Sequence, residues 1–330
     1  MGRKPILTEI QKYIDSLNPL GLKGASITTI SERNHLIYRL EKDGETYALR
    51  MINPESYRRG EWINMAEEYQ ILKALEPTGL GPKVYYLLGP KGYHLDGKSS
   101  PPFLIQEFVE AKCFNELKPL SQEHLVGTAR AIALLNSRRL TSENLSFLKK
   151  YEEQSYKGRI LVWQYRLLYA CLYSLRRDVI RWALKIEPLL FKARNILSNF
   201  ERLLPHAEFT FHFDGAHCGN TYWRDGKVIF LDWQKVSYRN DPTFTLVRFA
   251  TSVGGKGEVP KAALDILVKE YLRARAIPNF SELAQARLIE RQVSDLVWVL
   301  WDYVRRKDKR LVEEGTSVAP RYAAVVDLLR

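Results

Sequence analysis

The chain has 330 residues, of which 45% are apolar, 27% charged and 12% aromatic. These fractions are ordinary for a globular protein and exclude a largely disordered chain, and the length predicts two lobes or domains. No apolar run is long enough to span a bilayer, and the three scattered cysteines form neither a disulfide framework nor a metal-ligand pair. We therefore expect a cytoplasmic protein.

The formal net charge of +12 favours anionic partners such as nucleotides, phosphorylated metabolites, nucleic acid or an acidic membrane surface. The sequence contains no zinc-finger spacing and no aromatic-plus-basic RNA-binding signature. Nucleic-acid binding would rest on charge alone, so we do not expect it.

The first third of the chain has the pattern of a small antiparallel sheet that carries one helix. Asp43-Gly44 separates two strand-like runs and is a strong signal for a tight hairpin. A run with apolar residues at helical spacing follows the third strand. The predicted elements are an amphipathic segment at 7–17, strands at 25–31, 36–42 and 46–52, a helix at 61–76, and strands at 83–88 and 101–109.

From about residue 115 the pattern changes to long helices. One helical stretch covers 121–140, a second region covers 158–204, and helices are expected to resume from about 261. The first of these stretches has one apolar stripe, formed by Leu125, Ala129, Ile132 and Leu135.

Together these patterns predict an α+β fold with a small antiparallel-sheet lobe and a large, mainly helical lobe. We place the small lobe at 1–108 and the helical lobe at 109–330. The cleft between two such lobes is the default place for a ligand.

A short hairpin interrupts the helices of the large lobe. Asp225-Gly226 marks its turn, so Asn220 precedes the first strand and Asp232 follows the second. A hairpin brings such positions side by side, and amide and carboxylate oxygens are ligands for a Mg²⁺ ion that bridges nucleotide phosphates. Upstream, Asp214 could orient a hydroxyl and accept its proton, while His212 could brace the loop. A surface hairpin with turn-forming residues is the competing interpretation.

The stretch 212–234, HFDGAHCGNTYWRDGKVIFLDWQ, resembles the catalytic region of the aminoglycoside phosphotransferase and choline kinase group, distant relatives of the protein kinases. The resemblance implies a bilobal, protein-kinase-like fold, in which 1–108 would be the nucleotide-binding lobe and 109–330 the helical catalytic and substrate lobe. It also implies ATP- and Mg²⁺-dependent phosphorylation of a hydroxyl on an amino alcohol, a sugar or an aminoglycoside-like molecule. In that group Asp214 would be the catalytic base or hydroxyl-orienting residue, and Asn220 and Asp232 would hold magnesium.

Two departures from the family pattern affect the catalytic loop. Five residues separate Asp214 from Asn220, one more than usual. An insertion at Gly215 would explain this, because glycine tolerates a positive φ and sharp turns. Thr245 stands where an aspartate usually braces the loop. These changes are either compensating or signs of decay, so a non-catalytic, nucleotide-binding pseudokinase stays as the alternative function.

A kinase-like small lobe needs a cation on its third strand and a helix glutamate that positions it. Arg50 occupies the strand position, and by period-2 alternation it shares a face with Ala48. By the resemblance, Glu68 is the helix glutamate. Glu67 and Glu61 remain rivals for this role.

The resemblance implies three further nucleotide contacts. Asn34 matches an asparagine in the turn over the phosphates, although that turn lacks the glycines of a phosphate loop. Backbone groups around Glu107 and Val109 would bind the adenine edge at the hinge between the lobes.

Trp298 and Trp301 lie three residues apart in a helical pattern and resemble the tryptophan-containing helix of choline and ethanolamine kinases. Cation–π attraction, together with Asp295 or Asp302, would suit an ammonium group. Packing in the core is the competing interpretation for large aromatic residues at this spacing. A protein kinase proper is disfavoured because no Ala-Pro-Glu-like segment follows Asp232.

Overall fold

The computed structural model describes residues 7–32, 35–53, 65–89, 94–95, 98–99, 102–137, 145–152, 155–206, 209–254, 258–306 and 318–330. Two candidate site residues, Asn34 in the turn over the phosphates and Glu61 as a possible partner of Arg50, lie outside these ranges, as does the start of the helix predicted at 61–76. Within the described ranges, no helix is long and apolar enough to cross a membrane.

The described residues form a mixed α+β structure, as predicted. The strands are β1 (Ser26–Glu32), β2 (His35–Lys42), β3 (Glu45–Ile52), β4 (Val84–Leu88), β5 (His94–Leu95), β6 (Lys98–Ser99), β7 (Phe103–Glu107), β8 (Lys112–Cys113), β9 (Lys150–Tyr151), β10 (Thr210–Phe213), β11 (Thr221–Arg224), β12 (Lys227–Phe230) and β13 (Val236–Arg239). The α-helices are α1 (Leu7–Leu17), α2 (Met65–Leu75), α3 (Gln122–Ser137), α4 (Tyr156–Ser174), α5 (Arg177–Leu197), α6 (Phe244–Val253), α7 (Lys261–Ala274), α8 (Phe280–Arg306) and α9 (Val318–Leu328).

The chain forms two compact units, each built from three separate segments of the sequence. Unit 1 comprises Met1–Lys112, Leu140–Leu148 and Tyr222–Lys235. Unit 2 comprises Cys113–Arg139, Lys149–Thr221 and Val236–Arg330. Asn220 and Asp232 therefore belong to different units, and their shared metal site stays a prediction, as does the division into functional lobes at residue 108.

Unit 1 is built on a five-stranded sheet with the order β1-β2-β3-β7-β4, in which every neighbouring pair is antiparallel. Helix α1 contributes Ile10 and Ile14 to a core that also contains Leu36, Leu49 and Ile105 from the sheet. These side chains are nearly inaccessible to solvent, so their burial is a main source of the stability of this unit. The predicted antiparallel sheet is confirmed.

Both predicted hairpin turns are present. Asp43 and Gly44 have φ angles of 52° and 84° and connect the paired residues Lys42 and Glu45. Asp225-Gly226 has the corresponding angles of 51° and 76° between β11 and β12. Asp-Gly favours these turns because the left-handed conformation costs least for glycine, asparagine and aspartate.

Unit 2 is mainly helical. A large apolar core is shared by α4, α5, α8 and α9, and the apolar stripe predicted for α3 is buried. The expectation that helices resume only near residue 261 is wrong, since α6 begins at Phe244. α6 has only ten residues and is rich in β-branched and aromatic side chains, so periodicity in so short an apolar run does not distinguish a helix from a strand.

Unit 2 also contains a three-stranded sheet, with the order β10-β13-β9, that the sequence patterns do not predict. Its strands have at most four residues, which is too short for a reliable alternation pattern. His212 is paired with Ser237 and Thr210 with Arg239 across β10 and β13. Directly opposite residues share a face, so these four side chains lie on the same side of the sheet.

Candidate active site

Arg50 lies in the middle of β3, flanked by Ile37 of β2 and Leu104 of β7. Its Nη1 donates a hydrogen bond to Oε1 of Glu68 on α2, at a distance of 2.6 Å. The exposed fractions are 5% for Arg50 and 0% for Glu68, so each charge needs the other to offset its desolvation. The structure thus places Glu68 against Arg50, whereas Glu67 is partly exposed.

Asp232 is the second partner of Arg50, whose Nη2 donates to Oδ1 at 2.5 Å. The Asp232 side chain is about half exposed, and its φ of 68° lies in the left-handed region. The flanking chain is firmly anchored: the indole Nε1 of buried Trp233 donates to the Phe230 carbonyl, and the Phe230 N–H donates to the Leu80 carbonyl, both at 2.8 Å. This anchoring holds an uncommon backbone conformation of the kind found at functional sites.

The charges of this cluster are coupled. Burial raises the pKa of Glu68 to about 7 against the opposing effect of Arg50. Burial also favours a raised pKa for Asp232, but the charge and hydrogen bond of Arg50 outweigh it and lower that pKa. Burial and Arg50 together lower the pKa of His35, which lies 3.3 Å from the arginine, to about 3. A neutral histidine and a half-exposed carboxylate therefore surround a permanent cation.

Glu107 and Val109, which the resemblance nominates as adenine contacts, differ in the hydrogen bonds that their backbone groups form. The N–H of Glu107 donates to the Lys83 carbonyl at 2.8 Å, and its carboxylate accepts from the Lys83 N–H and from Arg224. No hydrogen bond to the backbone of Val109 is present within the described residues. Of the two, Val109 has backbone groups available for a ligand.

Asp214 follows β10 in unit 2 and is held by two residues of β13. Ser237 Oγ donates to Asp214 Oδ1 at 2.9 Å. Arg239 donates from Nη2 to Oδ2 at 3.0 Å and from Nε to Oδ1 at 3.4 Å. The Arg239 guanidinium is itself packed over the rings of Phe244, at 3.8 Å, and Tyr151, at 4.4 Å. The carboxylate is therefore fixed in position, with charge-assisted bonds that strengthen the contact.

The contacts of Ser237 and Arg239 with Asp214 were not predicted from the sequence. A signal was present, because the two residues alternate in the run VSYR and would share one face of a strand. Only the pairing of β13 with β10 shows that this face carries Asp214.

His212 is fully buried behind this carboxylate in the same strand. Its Nδ1 lies 2.8 Å from Thr245 Oγ1, and its Nε2 lies 2.6 Å from Thr210 Oγ1. Thr245 Oγ1 also accepts the Phe213 N–H at 3.2 Å. Burial lowers the pKa of His212 to about 3, although Asp241 opposes the shift. His212 is therefore a neutral, hydrogen-bonded support for the strand.

Gly215 is followed by a tightly bonded loop. The Asn220 Nδ2 donates to the Gly215 carbonyl at 3.1 Å, which leaves its Oδ1 as an acceptor for a cation. Gly215 does not have a positive φ. The reason for glycine is steric, since a Cβ at this position would lie 2.7 Å from the ring of buried Phe213.

A cavity of about 500 Å³ lies in unit 2 beside this loop. Its wall includes loop residues 217–219 and Trp298, whose exposed fraction is 43%. Trp301 instead packs with the helical core and contacts Tyr169 edge-to-face at 5.2 Å. The two tryptophans thus differ, one lining a cavity and the other packing in the core. Asp295 lines the cavity, whereas Asp302 is buried elsewhere.

Comparison with solved structures shows the fold. A candidate aminoglycoside phosphotransferase from Ralstonia eutropha is 15% identical, with a TM-score of 0.64 over 96% of this chain and 97% of its own. An ethanolamine kinase from Plasmodium vivax is 14% identical, with a TM-score of 0.59 over 94% and 85%. A spectinomycin phosphotransferase in complex with ADP and spectinomycin is 11% identical, with a TM-score of 0.58 over 98% and 99%. The predicted kinase-like fold is confirmed.

Comparison with curated proteins gives no match. The family comparison is informative, because the profile described as "Phosphotransferase enzyme family" matches residues 26–283. That match covers both β3 with Arg50 and the segment from Asp214 to Asp232, and it spans most of the sequence. The chain therefore belongs to the phosphotransferase enzyme family.

Proposed function

We propose that this protein is an ATP- and Mg²⁺-dependent phosphotransferase that phosphorylates a hydroxyl group of a small molecule. The observation that carries the proposal is the Asp214 carboxylate, which Ser237 and Arg239 hold in one orientation beside a cavity-lining loop. A carboxylate in a fixed orientation can align a hydroxyl and accept its proton during phosphoryl transfer.

The residues present suit a nucleotide and its metal ion. Arg50 is a permanent cation able to grip phosphate oxygens, and Arg50 Nε and Glu68 Oε2 are buried atoms without a hydrogen-bond partner in the described residues. Asp232 offers an ionised, half-exposed carboxylate, and Asn220 offers an amide oxygen. Oxygen donors of this kind suit Mg²⁺, which commonly takes few protein ligands and completes its shell with phosphates and water.

Each residue then has a role in the proposed reaction. When bound, Mg²⁺-ATP supplies the phosphoryl group and the ion neutralises charge on the phosphates. Arg50 would hold the phosphates, positioned by Glu68, and backbone groups of Val109 would contact the adenine edge. Asp214 would accept a hydrogen bond from the acceptor hydroxyl and take its proton as the oxygen attacks. The relative in complex with ADP and spectinomycin supports nucleotide use and a small-molecule acceptor.

The pseudokinase alternative depended on the extra loop residue and on Thr245. Neither departure leaves the loop unsupported: Asn220 bonds to Gly215, and Thr245 bonds to both His212 and the strand backbone. We therefore favour the active enzyme.

The test is ATP consumption in the presence of Mg²⁺ across a panel of small alcohols, with Asp214→Asn and Asp232→Asn as variants. Asp225→Asn is the matched control, because it makes the same change in charge at the turn of the hairpin, where asparagine is well tolerated. We expect acceptor-stimulated turnover that is lost in the first two variants and retained in the third. Turnover that survives Asp214→Asn would contradict the assigned role, and no stimulation by any acceptor would contradict the proposed activity.

A further inference from the structure

The cavity beside the catalytic loop has a positively charged lining, which does not suit an acceptor that carries an amine. Its charged lining consists of three arginines and one aspartate: Arg248 of α6, Arg291 and Asp295 of α8, and Arg321 of α9. Three positive charges against one negative charge leave the lining net positive. A cavity of this kind attracts anions and repels ammonium groups.

Asp295, the carboxylate in the cavity lining, already forms an ion pair with Arg291. Arg291 donates from Nε to Asp295 Oδ2 at 3.1 Å, and its Nη2 lies 2.8 Å from Oδ1, which makes a two-point ion pair between residues four apart on α8. Both side chains are about a quarter exposed, so the pair is partly shielded from water. Asp295 is therefore not available as the counter-ion of an ammonium group, and its charge is largely balanced by Arg291.

Arg248 is the arginine with capacity for a ligand. It is partly buried, and within the described residues its guanidinium forms no ion pair. Burial and the neighbouring Arg291 lower its pKa to about 10, against the opposing effects of Asp295 and Asp214. The side chain stays charged at neutral pH, and a desolvated cation next to other cations gains most from an incoming anion.

The position of the cavity connects it to the proposed reaction. Loop residues 217–219 line it and lie between Asp214 and Asn220 in the chain. Asp214 is also close enough to Arg248 to influence its ionisation. A molecule bound here would lie against the loop that connects Asp214 to Asn220. Exposed Trp298 and the partly buried Trp163 offer flat surfaces for a ring or an apolar chain.

We infer that this cavity binds the acceptor, and that the acceptor is an alcohol that carries an anionic group, a carboxylate or a phosphate, gripped by Arg248 with the support of Arg321. The inference rests on the proposed function, because that function identifies the ligand as an acceptor. The charged lining of the cavity does not depend on which reaction the protein catalyses. A guanidinium fork matches the two oxygens of either anion. Amino alcohols and aminoglycosides are correspondingly poor acceptors.

The test uses hexoses that share a skeleton and differ in charge: glucose, glucuronate, glucose 1-phosphate and glucosamine. Binding is measured by isothermal titration calorimetry without nucleotide, and kcat/KM is measured with Mg²⁺-ATP. We expect at least one of the two anionic sugars to bind roughly 10- to 100-fold more tightly than glucose, and glucosamine to bind more weakly than glucose. Comparison of the two anionic sugars distinguishes a carboxylate from a phosphate.

Arg248→Gln should weaken binding of the anionic sugars by roughly 10- to 100-fold and binding of glucose by much less, so that the preference for anions is lost. The matched control is Arg181→Gln, which makes the same change at an exposed position of α5 outside the cavity and should keep the preference. Equal loss in both variants would indicate a general effect of charge and overturn the assignment of Arg248.

The two proposals fail in different ways. Anion-selective binding that needs Arg248, without turnover of any alcohol, would uphold the cavity assignment and refute the phosphotransferase. Turnover that prefers glucosamine or glucose would uphold the enzyme and overturn the anionic acceptor. Binding without any preference for the anionic sugars would overturn the inference regardless of turnover.

Discussion

The hydroxyl oxygen of Thr245 lies 2.8 Å from Nδ1 of His212, and the same oxygen accepts the backbone N–H of Phe213 at 3.2 Å. One uncharged side chain on α6 thus supports both a buried imidazole and the strand that ends at Asp214. The group of phosphotransferases that the sequence resembles usually has an aspartate at this position. Threonine supplies the hydrogen bonds without placing a further buried charge near Asp241.

Thr245→Val should lower the free energy of unfolding by roughly 1–3 kcal/mol, because it removes the buried hydrogen bonds of the hydroxyl with the Phe213 N–H and with the His212 imidazole. Thr245→Ser keeps the hydroxyl and should lose much less. Urea unfolding followed by circular dichroism measures both variants. A valine variant as stable as the wild type would show that these bonds contribute nothing net.

Stability should depend on His212 at mildly acidic pH. The ordinary pKa of histidine, 6.5, is lowered to about 3 in the folded protein, so below pH 6.5 the unfolded chain binds a proton that the folded chain does not. The stabilising contribution is fully present above 6.5 and is lost as the pH falls towards 3, at about 1.4 kcal/mol per pH unit. Between pH 7.5 and 5.5 this contribution changes by about 1.4 kcal/mol in total, most of it below pH 6.5. His212→Gln should remove this change from the pH dependence measured by chemical denaturation, and parallel curves for the two proteins would contradict the prediction.

Gly215→Ala should destabilise the protein by roughly 1–3 kcal/mol, because the new Cβ collides with the buried ring of Phe213. If the collision is the cause, Phe213→Leu should recover part of this loss in the double variant. Thermal unfolding of the four proteins in this cycle measures the coupling. Strictly additive losses would mean that the two side chains do not meet.

Arg50→Met should lower the free energy of unfolding by roughly 3–5 kcal/mol, because Glu68 is left as a buried carboxylate without its partner. The double variant with Glu68→Leu replaces the pair by apolar groups and should recover most of the stability. It should not recover nucleotide binding, which we expect to need the arginine. Guanidinium chloride unfolding and titration with Mg²⁺-ATP separate these two effects.

Ser237→Ala removes one of the two side chains that hold Asp214 and should reduce kcat about tenfold, with a small change in KM for ATP. Asp214→Asn should cost more, roughly 10²- to 10⁴-fold, if the carboxylate accepts the hydroxyl proton. Steady-state kinetics with a saturating acceptor measures both. Equal losses in the two variants would mean that Ser237 does more than position the carboxylate.

The sequence by itself determined the local features of this protein. Asp-Gly turns, alternating strands and the stripe of α3 follow from conformational preferences and apolar periods that neighbouring residues set among themselves. The motif from His212 to Asp232 also identified the family, because its residue types and order are local.

The tertiary structure decided the contacts between residues that lie far apart in the sequence. It placed Glu68 rather than Glu67 against Arg50, and it brought Ser237 and Arg239 to Asp214 from a strand too short to predict. It also put Trp298 beside a cavity lined by arginines. Such contacts depend on how separate elements pack against each other and on which charged residues become buried and must pair. Neither can be read from the spacing of residues along the chain.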